Sequence, residues 1–271
     1  ESLLVEKSEM TPEELGRATK GAAQAMLLKV NLYRGNYAAA KEWGQKVIAS
    51  GEYTLYANYM DNFYLSGENG PESVFEIQYA EDPTSDYGEG NGFTRGTFTV
   101  ILTRSRSTVL CGGNAGWGFN KPTQDLYDEY EEGDPRRDVT IINPTDAQIE
   151  TPAQEIYLGS RYMSRKYALQ DTDGSYIPLS HATRAPINRK EIRYADVLLM
   201  YAEASIESGT NLAAGKDALN RVRSRVGMPA VEATREALRH ERRVELAMEG
   251  HRWFDLCRWG IAGATMNAYN A

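Results

Sequence analysis

The chain has 271 residues, 41% of them hydrophobic and 25% charged, an ordinary balance for a globular chain long enough to bury a sizeable core. Acidic residues outnumber basic ones 38 to 30, and the net charge of −8 argues against a nucleic-acid surface, because phosphate binding needs clustered Lys and Arg. No apolar run reaches the ~20 residues of a membrane-spanning helix, and Cys111 and Cys257 suggest neither a disulfide framework nor a CxxC metal site.

Taken in chain order, Thr11-Pro12-Glu13-Glu14 is the first signal. Thr as N-cap, Pro at the first helical position and Glu closing a capping box predict a helix running on through Leu15, Ala18, Ala22, Ala25, Leu28 and Leu32. Gly35-Asn36 ends it, and a second helix is expected from Tyr37 to Ser50 with Gly51 as its stop. Residues 1–51 therefore read as a helical hairpin of the tetratricopeptide (TPR) kind.

Residues 52–190 differ in character. Val74 to Tyr79 alternates like a short strand. Glu81 to Gly96 is polar and Gly-rich and reads as a long loop, a length that in a compact domain points to function or disorder. Pro122 to Glu131 predicts a helix capped by Thr123. Asp171-Thr172-Asp173-Gly174-Ser175 resembles a calcium loop, but its Gly comes too early and Ala182 stands where the bidentate Glu belongs, so a turn is expected. Helical periodicity returns over Glu191–Ser208, Leu212–Val226, Thr234–Glu249 and His251–Trp259. The whole is expected to be one mainly α domain, in which TPR-like hairpins (1–51 and 191–271) form an α-superhelix interrupted by a loop-rich insertion (52–190) with short strands.

The densest motif runs from Glu241 to Leu256. Glu241, Glu245 and Glu249 recur at i, i+4 and repel one another unless cations sit against them. Such a row of carboxylates could hold a metal, but the nearby Arg242, Arg221, Arg223 and Arg225 favour a charge network that locks the hairpins together. The expected seam joins Glu203, Arg221, Arg225, Glu241, Glu245 and Arg252. His181, His240 and His251 lack the Glu three residues earlier that a bundle di-metal site needs. The acids at Asp125, Asp128, Glu129, Glu131, Asp134 and Asp138 lie beside Arg136 and Arg137 and read as a solvated helix end rather than a glycosidase pair. No nucleophile elbow, phosphate loop or dinucleotide pattern is present. No catalytic residue, metal or cofactor is expected.

Several of these motifs, in this order, resemble the SusD/RagB family. They are Gly16-Arg17-Ala18-Thr19-Lys20-Gly21-Ala22-Ala23, Gly116-Trp117-Gly118 with Pro122-Thr123-Gln124-Asp125-Leu126, and Gly133-Asp134-Pro135-Arg136-Arg137-Asp138. Tyr201-Ala202-Glu203-Ala204, Ala218 to Arg225 and Glu241 to Gly260 follow. The resemblance implies a non-catalytic, lipid-anchored outer-membrane protein of Bacteroidetes-type bacteria. Such a protein binds oligosaccharide or polysaccharide at the cell surface and hands it to a SusC-like TonB-dependent transporter. Against the family pattern, the chain is expected to lack the signal peptide, the lipidated cysteine, the first helical pairs and the closing segment. The alternative reading is a TPR-type protein–protein scaffold without sugar binding.

A glycan needs aromatic faces for sugar C–H surfaces and polar groups for hydroxyls on a concave, wet surface. Tyrosine, which suits half-exposed surfaces, outnumbers phenylalanine 17 to 6. In family members the glycan platform draws on loops of the central region, which here offer Tyr87, Asn91, Phe93, Arg95, Asn114, Trp117 and Asn120. Ligand is expected on these loops and not on the Glu241 helix.

Overall fold

The computed structural model describes residues 1–82, 95–149 and 157–269. It is mainly helical. Helices α1 (Lys20–Tyr33) and α2 (Tyr37–Ala49) fold back on each other across a three-residue turn. Helices α6 (Tyr194–Ser208) and α7 (Leu212–Arg225) make a second hairpin, followed by α8 (Arg235–Glu245), α9 (Arg252–Arg258) and α10 (Ala262–Tyr269). The α6 helix is apolar almost all round and is packed on by α1, α2, α7 and α8. That environment matches its composition: residues 194–205 are all buried. One core joins Leu28 and Leu32 of α1, Val47 of α2, Val197, Leu198 and Tyr201 of α6, Leu219 and Val222 of α7, and Leu238 of α8.

Strand β1 (Ser73–Ile77) pairs antiparallel with β4 (Arg189–Arg193), with Ser73 opposite Arg193 and Ile77 opposite Arg189. Between them lie the short helices α3 (Thr99–Thr103), α4 (Gln124–Glu129) and α5 (Arg136–Thr140), and a second small sheet of β2 (Ile141–Ile142) with β3 (Met163–Ser164). Separate small cores pack under these loops, one around Val100, Leu169, Ala185 and Ile187, another around Tyr130, Ile141, Tyr162 and Val244.

Three boundaries depart from the sequence expectations. Half of the Thr11 capping box forms, the Thr11 amide donating to Glu14 Oε2 at 3.2 Å, yet no helix grows from it. Gly16 takes φ +95°, a left-handed conformation that breaks the helical path, and the Gln78 side chain packs where its Cβ would be. The helix starts instead at Lys20, where Thr19 Oγ1 accepts from the Ala22 amide at 3.0 Å. Glu191 to Arg193, read as the first turn of a helix, belong to β4, and Ile192 and Arg193 pair with Phe75 and Ser73 of β1. The Thr234 helix ends at Glu245, and Met248 at φ +68° and Gly250 at φ +88° turn the chain before α9. The 171–175 segment is a turn: the Asp171 amide donates to the Ser175 carbonyl at 2.8 Å, and Gly174 sits at φ +84°.

Candidate functional site

The expected charge seam is two networks. In the first, the buried Arg136 on α5 bonds Asp134 at 2.7 Å, Glu245 at 3.0 Å and Glu241. Arg193, leading into α6, bonds Glu72 at 2.5 Å, Glu249 at 2.7 Å and Glu245 at 3.0 Å. Arg225 reaches Glu245 at 2.7 Å, Arg223 reaches Glu241 at 3.0 Å, and Lys166 reaches Glu249 at 2.8 Å. In the second, Glu203 accepts from Arg258 at 2.7 Å and from the Trp259 indole at 2.7 Å, while Asp255 links Arg258 to Arg242, which also holds Asp196 at 2.9 Å.

Glu203 therefore belongs with α9 and not with Glu241 and Glu245. Two expected members stand outside the ion pairs. Arg221 lies over the Tyr194 ring, 5.5 Å from its centre, and donates to its hydroxyl at 3.2 Å. Arg252 lines a surface cleft. Arg242, one turn before Glu245, points to Asp255 and Asp196 instead.

Burial alone would raise the Glu245 carboxyl, but Arg225, Arg193 and Arg136 outweigh it and hold it well below the usual range. Burial likewise opposes ionisation of Glu249, yet Arg193 and Lys166 bring it down to about 2. Burial depresses the Lys166 ammonium to about 8 in spite of Glu249. Carboxylates ionised, enclosed and saturated with arginine offer neither a proton donor nor an open cation site. Among the described residues no group of three or more His, Cys, Asp or Glu is placed to hold a metal.

The exposed chemistry lies on the insertion. Arg104, almost fully buried, donates to the Ala168 carbonyl at 2.6 and 2.8 Å, to Ile177 at 3.1 Å and to Asn114 at 3.2 Å, and so pins the loop after α3 to the 168–177 hairpin. The chain then returns along the end of α3. The amides of Gly116, Trp117, Gly118 and Phe119 donate to Ser105, Ile101, Arg104 and Leu102 at 2.6 to 3.0 Å, taking up carbonyls that a helix end leaves open. A Cβ on Gly116 would stand 2.7 Å from both the Ile101 and Arg104 oxygens, so this approach requires glycine. The result is a fixed backbone that presents two rings. Trp117 is 46% and Phe119 39% exposed, and the rings meet edge to face at 6.3 Å between centroids.

Asn120, at φ +50°, carries the chain from this pair to α4 and borders a cleft of about 310 Å³. Thr123, Arg243 and Arg252 are shared by that cleft and a neighbouring one of about 750 Å³ edged by Met266 and Tyr269. The α4 wall is held to α8 by ions: Glu129 bonds His240 Nδ1 at 2.9 Å and Arg243, Glu131 bonds His240 Nε2 at 3.1 Å and Arg223 at 2.7 Å, and Asp125 meets Arg243.

The sequence profile of the SusD family matches residues 71–271. The chain belongs to the SusD family. A SusD-like protein of Bacteroides ovatus is 28% identical over 262 residues, covering 90% of this chain and 46% of the relative. The surface glycan-binding protein A of Bacteroides thetaiotaomicron, solved in complex with laminarihexaose, superposes with a TM-score of 0.82 at 26% identity and covers 97% of this chain and 59% of that one. A laminarin-binding SusD-like protein superposes with a TM-score of 0.82 at 30% identity over 96% and 58%. This SusD-family chain thus spans roughly half the length of the relatives it matches.

Of the ligand residues expected from sequence, Tyr87, Asn91 and Phe93 lie outside the described residues. Arg95 is 73% exposed at the side chain and meets Asp82 at 3.3 Å. Asn114 is half-buried, and its amide donates to the Gly112 carbonyl at 3.1 Å. Trp117 holds its ring at the surface. Sequence reasoning overlooked Phe119, and it also overlooked Trp253 and Phe254, each 57% exposed on α9. The signal was available: Trp253-Phe254-Asp255-Leu256 spans one turn, and a helix that buries Asp255 and Leu256 turns the preceding pair outward.

Proposed function

We propose that this chain is the part of a cell-surface, lipid-anchored SusD-family protein that captures oligosaccharides and delivers them to a SusC-like TonB-dependent outer-membrane transporter, without catalysis. The observation that carries the reading is the Trp117–Phe119 pair: two half-exposed rings on a backbone fixed by four amide–carbonyl bonds, with Asn120 beside them. A sugar stacked on such a ring buries apolar C–H surface, and neighbouring amides and guanidinium groups replace water at its hydroxyls. The laminarihexaose bound by the Bacteroides thetaiotaomicron relative supports the ligand class. The arginine-saturated carboxylates support a binding role over hydrolysis. On sequence grounds the surface also takes in Tyr87, Asn91, Phe93, Arg95 and Asn114.

Single contacts of this kind are weak, so one short glycan binds in the micromolar-to-millimolar range, about −4 to −8 kcal/mol. The test is a glycan array followed by calorimetry on wild type, Trp117→Ala and Phe119→Ala, each beside a thermal melt. Both variants are expected to melt like wild type and to bind at least about tenfold more weakly, a loss of about 1.4 kcal/mol. Unchanged glycan affinity in both moves the site elsewhere. Binding of peptides but of no glycan returns the reading to a protein–protein scaffold.

A further inference from the structure

Among the described residues, Arg252 is left over when the ion pairs around α8 and α9 have been assigned, as is Arg239, which lies over the Trp259 ring instead. Arg252 is half-buried in the wall shared by the two clefts, and among the described residues no hydrogen bond or ion pair holds its guanidinium. Its neighbours are all engaged. Arg243 has Glu129 and Asp125, Arg242 has Asp255 and Asp196, and Arg258 has Glu203 and Asp255. The carboxylates whose charge reaches Arg252 are Glu129, Asp255 and Asp125, each already bonded to another base. Burial and the adjacent Arg243 disfavour its charged form, and the charges of Glu129, Asp255 and Asp125 offset this only in part.

A planar fork of donors in this state matches a carboxylate or a sulfate. The same clefts carry two aromatic faces, Trp253 at 57% and Tyr269 at 59% exposure. Lys121 lines the smaller cleft, and the charge of Asp125 in the larger one is met by Arg243. Asn120 borders the smaller cleft, which Arg252 also lines, and directly follows Phe119, so the Trp117–Phe119 segment leads into that cleft.

The geometry points to an acidic-sugar subsite, in which Arg252 binds the carboxylate of a uronic acid or the sulfate of a sulfated sugar while Trp253 takes the ring. This deepens, and rests on, the glycan reading above.

Calorimetry with three hexasaccharides separates the possibilities: laminarihexaose as the neutral probe, oligogalacturonate as the carboxylated one, and a carrageenan fragment as the sulfated one. Wild type is expected to bind at least one acidic probe about tenfold more tightly than laminarihexaose, with the preference shrinking as salt rises. Arg252→Gln is expected to melt like wild type and to lose that preference, and Arg252→Lys to keep part of it. Whichever acidic probe responds to Arg252→Gln identifies the anion. Laminarihexaose binding with no acidic preference, or an acidic preference that survives Arg252→Gln, overturns the subsite and leaves the glycan reading standing. Binding of none of the three probes, nor of any glycan on the array, overturns both.

Discussion

Arg193 grips Glu249 through two parallel hydrogen bonds, Nε to Oε2 at 2.7 Å and Nη2 to Oε1 at 2.9 Å, and so ties the strand entering α6 to the turn that follows α8. The same guanidinium holds Glu72 and Glu245, all four groups being buried. Replacing Arg193 by Met leaves three carboxylates with fewer cations in a medium of low polarity. The expected cost is about 3–5 kcal/mol, which for a chain of this size lowers the melting temperature by roughly 10 °C. Urea and thermal melts measure it, and a wild-type melt for Arg193→Met would remove this network from the account of the fold.

Acid should unfold the protein through the same groups. The folded pKa of Glu249 lies near 2, below its unfolded value of about 4.5, and that of Glu245 is also depressed. Their stabilisation is present above the unfolded value and is lost as pH falls through the interval toward 2. Thermal melts recorded from neutral pH downward should hold level and then decline steeply below about 4.5. Glu249→Gln should start lower and fall less.

His240 has the opposite sign. Both its ring nitrogens face carboxylates, and a neutral imidazole can donate from only one of them, so the arrangement needs the imidazolium. The hydrogen bond it donates to Glu129 raises its folded pKa, with burial opposing. The α4–α8 contact is therefore fully stabilised below the unfolded histidine value of about 6.5 and weakens as pH rises through the higher folded one. A proton titration of the His240 ring by NMR should give a midpoint above that of an exposed histidine. A midpoint at or below it would contradict the geometry.

Gly116 offers a test that does not touch a ring. Gly116→Ala places a methyl group 2.7 Å from two carbonyl oxygens and must lift the 116–119 segment off α3. Glycan affinity should fall about as far as in Trp117→Ala although both rings remain. Retained affinity would mean that the fixed backbone is irrelevant to binding.

The helical frame was legible because its signals are local. Asn36 and Thr234 are side-chain caps, Gly209 is a left-handed stop, and the apolar spacing of Leu28, Leu32, Val197 and Leu219 reports one buried face each. The Thr11 box misled because a cap satisfies amides and does not by itself propagate a helix; Gly16 and its contact with Gln78, far along the chain, decided the matter. The ion networks were half legible. Three glutamates in a row announce a need for cations, but Arg136, Lys166 and Arg193 arrive from the insertion and from β4, and no periodicity encodes that. Trp117 was readable as an aromatic beside glycines. That its amide would sit on the Ile101 carbonyl depends on how α3 ends.

The pairing of Ile77 with Arg189 puts the exit and the return of the insertion side by side. The insertion leaves and returns through this one doorway, Arg136 and Lys166 rivet its inner side to Glu241, Glu245 and Glu249, and α4 is tied to α8 through Glu129 and Glu131. Closing a longer loop across a fixed gap adds only about 0.6 kcal/mol for each doubling of its length. Outer loops hung this way can be lengthened, shortened or rewritten while the doorway and the two rivets stay as they are. The insertion is an exchangeable head on a fixed handle, and on the glycan reading proposed above a new ligand would need only the head recut.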